Sequence, residues 1–401
     1  MKKNLPLALI FIVVFVDLLG FGLLIPILPT FSTQYLKISE TDVGIVIAIY
    51  SLIQFLFNPV FGSLSDKYGR RNIILVTLLI NASGYLIFAF AQSYLVLIIS
   101  RVICGIGGSS IGVAQAYIAD VTTKEERSKG MGLIGVAFGL GFVFGPIFGG
   151  TISHFGYDIV GYSSAFFSFT AFILSILFLP EPKREHRIVK GKRKLLDFNA
   201  LKDIINNPSI GIVILLFFVI TFSVANIYGT MALLGSEVYN FSDMENGFLY
   251  GIVGIVGAIV QGGFVGRLSK KYSDNQLITF GTFFLMTGLG LLPFGGNLIG
   301  VAIVGGVLSI GTGILQPVLL SLISKVTSDE KQGTILGLNQ SFSAFARMMG
   351  PLWGGFSFEY LGYQIPFLTG AFFTFFIFIF STFYLKKHLP VNTNSQNKEE
   401  K

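Results

Sequence analysis

The stretch GLIGVAFGLGFVFGPIFGG, Gly132 to Gly150, carries no charge and lies within an apolar run over residues 131–153. A run of that length crosses a hydrocarbon core about 30 Å thick as one helix. Glycine inside an ordinary helix is unfavourable by about 1 kcal/mol relative to alanine, so glycines at set distances require a structural reason. Gly132, Gly141 and Gly145 stand nine and four residues apart, and Gly149 and Gly150 close the stretch behind Pro146. In lipid, small residues at such spacing let two helix backbones approach closely. Pro146 removes one backbone hydrogen bond and bends the helix. The stretch reads as a bent helix that rocks against a partner, the plainer reading being a stripe that only packs. Gly247, Gly251, Gly254 and Gly257 share one face of a later segment, and that face is the expected partner of Gly132, Gly141 and Gly145.

The surroundings are membrane-like. Of 401 residues, 52% are hydrophobic and 12% charged, against about 25% charged in soluble domains. Twelve apolar segments have cores at 6–28, 43–63, 72–92, 95–119, 131–153, 161–180, 209–235, 246–268, 276–293, 297–324, 334–357 and 364–385. The first is too long for a signal-peptide core and reads as an uncleaved helix. With both termini cytoplasmic, every Lys and Arg falls on a cytoplasmic segment except Lys37, Arg101 and Arg347, as the positive-inside bias requires. The net charge of +7 thus belongs to topology and does not argue for nucleic acid. The expectation is an all-α, polytopic, multi-pass protein of the cytoplasmic (inner) membrane. Cys104 is the only cysteine, so no intrachain disulfide forms.

Several motifs stand on these segments. The first carries Asp17 at its middle, followed by Gly20, Gly22, Pro26 and Pro29, which loosen its outer half. The second ends in GSLSDKYGRR, placing Gly62, Asp66, Gly69, Arg70 and Arg71 in a short basic connection. The fourth reads Arg101-x-x-x-Gly105-x-Gly107-Gly108 and ends at Asp120. Those glycines lack a preceding strand and the G-x-G-x-x-G spacing of a dinucleotide site.

The chain also repeats itself. A shift of 204 lays Gly62, Leu64, Ser65, Lys67 and Tyr68 on Gly266, Leu268, Ser269, Lys271 and Tyr272. A shift of 205 lays Gly132 on Gly337 and Gly145-Pro146-x-x-Gly149-Gly150 on Gly350-Pro351-x-x-Gly354-Gly355. Parallel halves related by an axis along the membrane normal follow. The expected division is an N-terminal half at 1–182, a cytoplasmic loop at 183–207, a C-terminal half at 208–388 and a disordered cytoplasmic tail at 389–401. The second half loses chemistry, since Asp66 meets Lys270, Arg101 meets Gly306 and Gly141 meets Ala346.

Asp17, Arg101 and Arg347 are the ionisable residues well inside the apolar segments, and at ~1.5 Å rise per residue all three lie near mid-membrane. An intramembrane charge is costly and marks a functional site by default, the plainer reading being a structural ion pair. Asp17 is the acid that can exchange a proton at that depth, whereas arginine stays charged and serves as counter-ion. These three form the expected proton-coupling set. His154, His186 and His388 are scattered at helix ends and loops, so no metal site is expected. No phosphate-binding loop is present, and neither an enzyme activity nor a cofactor is expected.

G-x(8)-G-x(3)-G-P-x(2)-G-G resembles the antiporter motif on the fifth helix of major facilitator superfamily exporters. The loop Gly62–Arg71 and the motif at Arg101 resemble that superfamily's loop 2–3 and fourth-helix signatures. The whole chain, most of all residues 15–150, resembles the twelve-helix drug:proton antiporters and within them the tetracycline efflux proteins. The resemblance implies two six-helix halves related by a pseudo-twofold axis, and proton-coupled efflux of a small organic compound by alternating access, with the chain working as a monomer. It implies a gate at Gly62, Asp66, Gly69, Arg70, Arg71 and Asp120, with Arg70 meeting Asp120 and Asp66 meeting the start of the eleventh helix near Gly333 and Thr334. Tetracycline exporters carry an aspartate before a tyrosine in helix 3, where this chain has Gly84 before Tyr85, so recognition of a metal–tetracycline cation is not implied. A metabolite or sugar importer on the same fold and a non-transporting sensor are the other classes. The complete fifth-helix motif weighs against the first, and Asp17 with Arg101 against the second.

Overall fold

The computed structural model describes residues 5–122, 127–182, 207–327 and 332–385, with the side chains of 127–129, 131 and 332–334 outside the description. Its elements are helical: α1 (Leu5–Tyr35), α2 (Glu40–Tyr68), α3 (Arg70–Ala89), α4 (Tyr94–Val121), α5 (Arg127–Ile152), α6 (Tyr157–Phe178), α7 (Pro208–Val238), α8 (Asp243–Lys271), α9 (Asp274–Phe294), α10 (Leu298–Val326), α11 (Gln332–Tyr360) and α12 (Ile365–Phe383). The expected central loop and tail fall almost wholly outside the described residues. Eleven of the helices are long and apolar enough to cross a membrane, and α11 is the exception. Asn339, Gln340, Arg347 and several serines make α11 more polar.

Breaks fall where the sequence places special residues. α1 is interrupted at Ile25–Pro26, and α4 at Gly108–Ser109. Single π-helical turns close the far ends of α1 (Phe31–Tyr35) and α7 (Leu234–Val238), another trace of the repeat. Pro146 and Pro351 lie at matching places inside α5 and α11.

In the first half, α1 packs on α5 and α6, and α3 on α4 and α6. In the second, α9 packs on α10 and α12, and α7 on α11. Two antiparallel-looking seams join the halves, α5 against α8 and α2 against α11. The seams are tight at the end carrying Glu40, Glu237, Asp243 and Glu359, hereafter the acidic end. A Cβ built on Gly150 would lie 3.1 Å from Gly247 Cα, and one on Gly355 would lie 3.1 Å from Gly44 Cα. Val43 of α2 is 1% exposed and belongs to the apolar core of the second half.

Toward the opposite, basic end the same helices part. A Cβ on Gly139 would reach only Ala258, at 3.7 Å, and one on Gly132, Gly135, Gly257, Gly262 or Gly337 would meet nothing within 4 Å. Among the described residues, the seams are therefore closed at the acidic end and parted toward the basic end.

Candidate functional site

The site is assembled by glycines. Gly20 lets α1 approach α6 until a Cβ there would stand 2.9 Å from the Ser164 carbonyl oxygen. One turn further on α6, Ser168 then donates to Asp17 Oδ1 at 2.6 Å. On α4, a Cβ at Gly107 would lie 2.6 Å from the Asn81 nitrogen, so α3 and α4 touch and deliver two more donors. Asn81 Nδ2 donates to Asp17 Oδ1 at 2.9 Å, and Ser110 Oγ donates to Oδ2 at 3.2 Å. Asp17 is thus a buried carboxylate held by three neutral donors from three helices. Sequence reasoning selected Asp17 but not Asn81, Ser110 or Ser168, because neutral residues on apolar helices carry no signal of their own.

Arg101 is 3% exposed and lies beside Phe88, with its guanidinium carbon 5.7 Å from the ring centre. Its Nη2 donates to Ser100 Oγ at 3.3 Å, while Nε finds no partner. Arg347 on α11 stands within electrostatic reach of Tyr50 and Tyr228, one from each half. Tyr50 also lies within electrostatic reach of Asp17 and Arg101. Among the described residues no ion pair joins Asp17 to either arginine. Phe21 adds an aromatic cluster at this level, stacked on Tyr50 at 5.2 Å and edge-on to Phe142 at 6.1 Å.

The fifth-helix stripe packs differently from the sequence expectation. A Cβ on Gly145 would lie 2.6 Å from Gly22 Cα, and one on Gly141 would lie 2.8 Å from Leu18 Cβ. Gly149 closes on Leu23. This face therefore meets α1, not α8. The glycines of α8 do meet α5, but at Pro146 and Gly150 for Gly247, at Ile147 and Val143 for Gly251, and at Val143 and Phe142 for Gly254. The reason is angular. Positions 141, 145 and 149 recur every four residues and form one stripe, while 143, 147 and 150 form the neighbouring one. Gly132 and Gly257 contact neither partner.

The loop motif forms a compact ionic group. Arg70 Nε meets Asp120 Oδ2 at 2.9 Å, and its Nη2 meets Asp66 Oδ1 at 2.6 Å. A further Arg70 nitrogen donates to Ser65 Oγ, which itself donates to the Gly62 carbonyl at 2.8 Å. The pairing of Arg70 with Asp120 matches expectation. Asp66 meets Arg70, and the expected contact near Gly333 and Thr334 falls on side chains outside the described residues. Gly69 takes φ +100°, where side chains are disfavoured. Glu181, absent from the sequence expectation, accepts from the Arg70 and Arg71 backbone N–H groups at 2.7 and 2.9 Å and so caps α3. Arg71 reaches across to the Ile176 carbonyl at 2.7 Å. At Gly84 a Cβ would stand 2.6 Å from Cys104 Sγ, so the space an acidic side chain would need there is filled.

Comparison with known proteins agrees with this architecture. The chain is 29% identical to "Multidrug resistance protein 1" of Bacillus subtilis (strain 168), over 89% of this chain and 91% of that protein. It is 28% identical to "Tetracycline resistance protein, class H" of Pasteurella multocida, over 89% of this chain and 90% of the other. Its fold matches the crystal structure of the human organic anion transporter MFSD10 (TETRAN) with a TM-score of 0.71 at 23% identity, covering 95% of this chain and all of that one. The pattern shared by the Major Facilitator Superfamily matches residues 10–310 and again 264–401. With twelve helices among the described residues, in two repeated halves, and that match over most of its length, this chain belongs to the Major Facilitator Superfamily of multi-pass membrane transporters, and it is a transporter and not an enzyme.

Proposed function

We propose that the protein exports a small, drug-like organic compound across the cytoplasmic membrane in exchange for protons. The observation that carries this reading is Asp17, a buried acid at the middle of a spanning helix with neutral donors on both oxygens. Ionised, it accepts all three hydrogen bonds. To take up a proton, one donor must turn into an acceptor. Asn81 approaches Oδ1 through its NH₂ and cannot do so without flipping, whereas the hydroxyls of Ser168 at Oδ1 and Ser110 at Oδ2 can rotate and accept. Proton uptake thus rewrites a contact of α1 with α4 or α6, which ties charge to helix packing. Arg101 and Arg347 act as fixed counter-charges.

The two halves, residues 1–182 and 208–388, rock about this centre as a monomer, linked by the cytoplasmic segment 183–207. The distribution of Lys and Arg supports a cytoplasmic basic end, so the conformer faces inward. The group Asp66, Arg70 and Asp120, with Gly62, Gly69 and Arg71, serves the inner gate. The stripe Gly132, Gly141, Gly145, Pro146, Gly149 and Gly150 serves as the antiporter helix. The multidrug and tetracycline resistance relatives support a drug-like cargo, and the filled site at Gly84 argues against a metal–tetracycline cation.

The test is transport of labelled candidate compounds into everted membrane vesicles with an imposed pH gradient. Asp17→Asn should still bind cargo and lose gradient-driven accumulation. Accumulation equal to the wild type would remove Asp17 as the proton carrier.

A further inference from the structure

The acidic end closes by more than backbone contact. α2 begins at Glu40, with Ser39 as its N-cap accepting from the Asp42 N–H at 3.2 Å. The neighbouring Thr41 N–H donates to Glu359 Oε2 at 3.0 Å, across 318 residues of sequence. Glu359 ends α11, so a carboxylate of the second half caps a helix of the first. A helix N-terminus leaves its first N–H groups unpaired and carries partial positive charge, so a carboxylate there supplies both an acceptor and an attractive charge.

The repeat makes this contact one-sided. The 205-residue shift places His154, just past the end of α5, where α11 has Glu359. α5 therefore offers no carboxylate to α8, and α8 supplies its own. Ser242 accepts from the Glu245 N–H at 3.3 Å, and the Glu245 carboxylate accepts from the Ser242 N–H at 2.8 Å. α8 is capped from within its own half whichever way the halves rock, whereas α2 gains its second cap from the other half when the acidic end is shut.

We propose that Glu359 is a latch, a carboxylate of α11 that caps the N-terminus of α2 and holds the acidic end of the transporter closed. The latch rests on the alternating-access reading for its purpose, though not for its detection. It lies at the opposite end of α2 from the Asp66–Arg70–Asp120 group. α2 thus carries ionic control at both of its ends.

The reporter is Val43→Cys in a Cys104→Ser background, because Val43 is buried in the seam beside the latch. A second reporter, Gly257→Cys, sits where the basic end is open. Labelling by a membrane-impermeant maleimide is followed in purified protein in lipid nanodiscs, where both faces are accessible. Glu359→Ala should raise labelling at Val43→Cys roughly fivefold, equivalent to the ~1 kcal/mol of a lost helix cap. Glu359→Gln keeps an acceptor and loses the charge, and should fall between. Labelling at Gly257→Cys should drop as the basic end closes in turn. Unchanged labelling at Val43→Cys overturns the latch, as does a rise at both reporters, which reports unfolding. A rise at Val43→Cys without a drop at Gly257→Cys upholds the latch and instead refutes rocking between two faces.

Discussion

Consider a valine at Gly145. The Cβ alone would lie 2.6 Å from Gly22 Cα, 2.8 Å from the Gly22 carbonyl carbon and 3.2 Å from the Leu23 nitrogen. All three are backbone atoms, so no rotamer change relieves the overlap. Moving the closest contact from 2.6 Å to 3.4 Å, the near edge of ordinary contact, parts α1 from α5 by roughly 0.8 Å. Overpacking of a tight interior costs about 1–3 kcal/mol, and two further methyls put valine at the upper end, with alanine below it. One turn along the same face Gly141 abuts Leu18, so the displacement reaches the residue beside Asp17. Gly145→Val should insert normally, melt a few degrees lower in nanodiscs and lose export, with Gly145→Ala keeping part of it. Gly132→Val supplies the control, since an added Cβ there meets nothing within 4 Å among the described residues and the melting temperature should not move. Wild-type melting and export by Gly145→Val, or an equal loss of stability in Gly132→Val, would refute the reasoning.

Two further outcomes follow from the structure. Asp120→Asn should impair export more than Asp66→Asn, because Arg70 is buried and the Asp66 side chain is the more exposed partner, 45% against 26%; equal export rates in the two variants would contradict this. Gly84→Asp should lower the amount of folded protein in the membrane and confer no tetracycline export, and Cys104→Ala should rescue it only in part, since the Cys104 backbone nitrogen remains 2.9 Å from the new Cβ. Full folding of Gly84→Asp, read by size-exclusion profile, would show that the site is roomier than the structure indicates.

What can be read along the chain is what lipid imposes on each segment separately. Span lengths, the placement of Lys and Arg and the loosening of α1 at Pro26 follow from hydrocarbon thickness, charge transfer and local backbone chemistry. So does the selection of Asp17, because an acid at that depth is conspicuous in one sequence. The repeat is legible as well, since motifs such as Gly145-Pro146 and Gly350-Pro351 recur at a fixed distance. Which helix a glycine stripe meets is not local. Two stripes on α5 differ by a fraction of a turn, and only the assembled bundle gives the Gly141 stripe to α1 and the Gly150 stripe to α8. The donors Asn81, Ser110 and Ser168 become a site only when close approaches at Gly20 and Gly107 bring three helices onto Asp17. Glu181 and Glu359 look like ordinary acids at the ends of apolar segments. Tertiary structure alone turns them into caps on helices 110 and 318 residues away, because an unpaired N–H is satisfied by whatever acceptor the fold brings near, not by one the sequence places beside it.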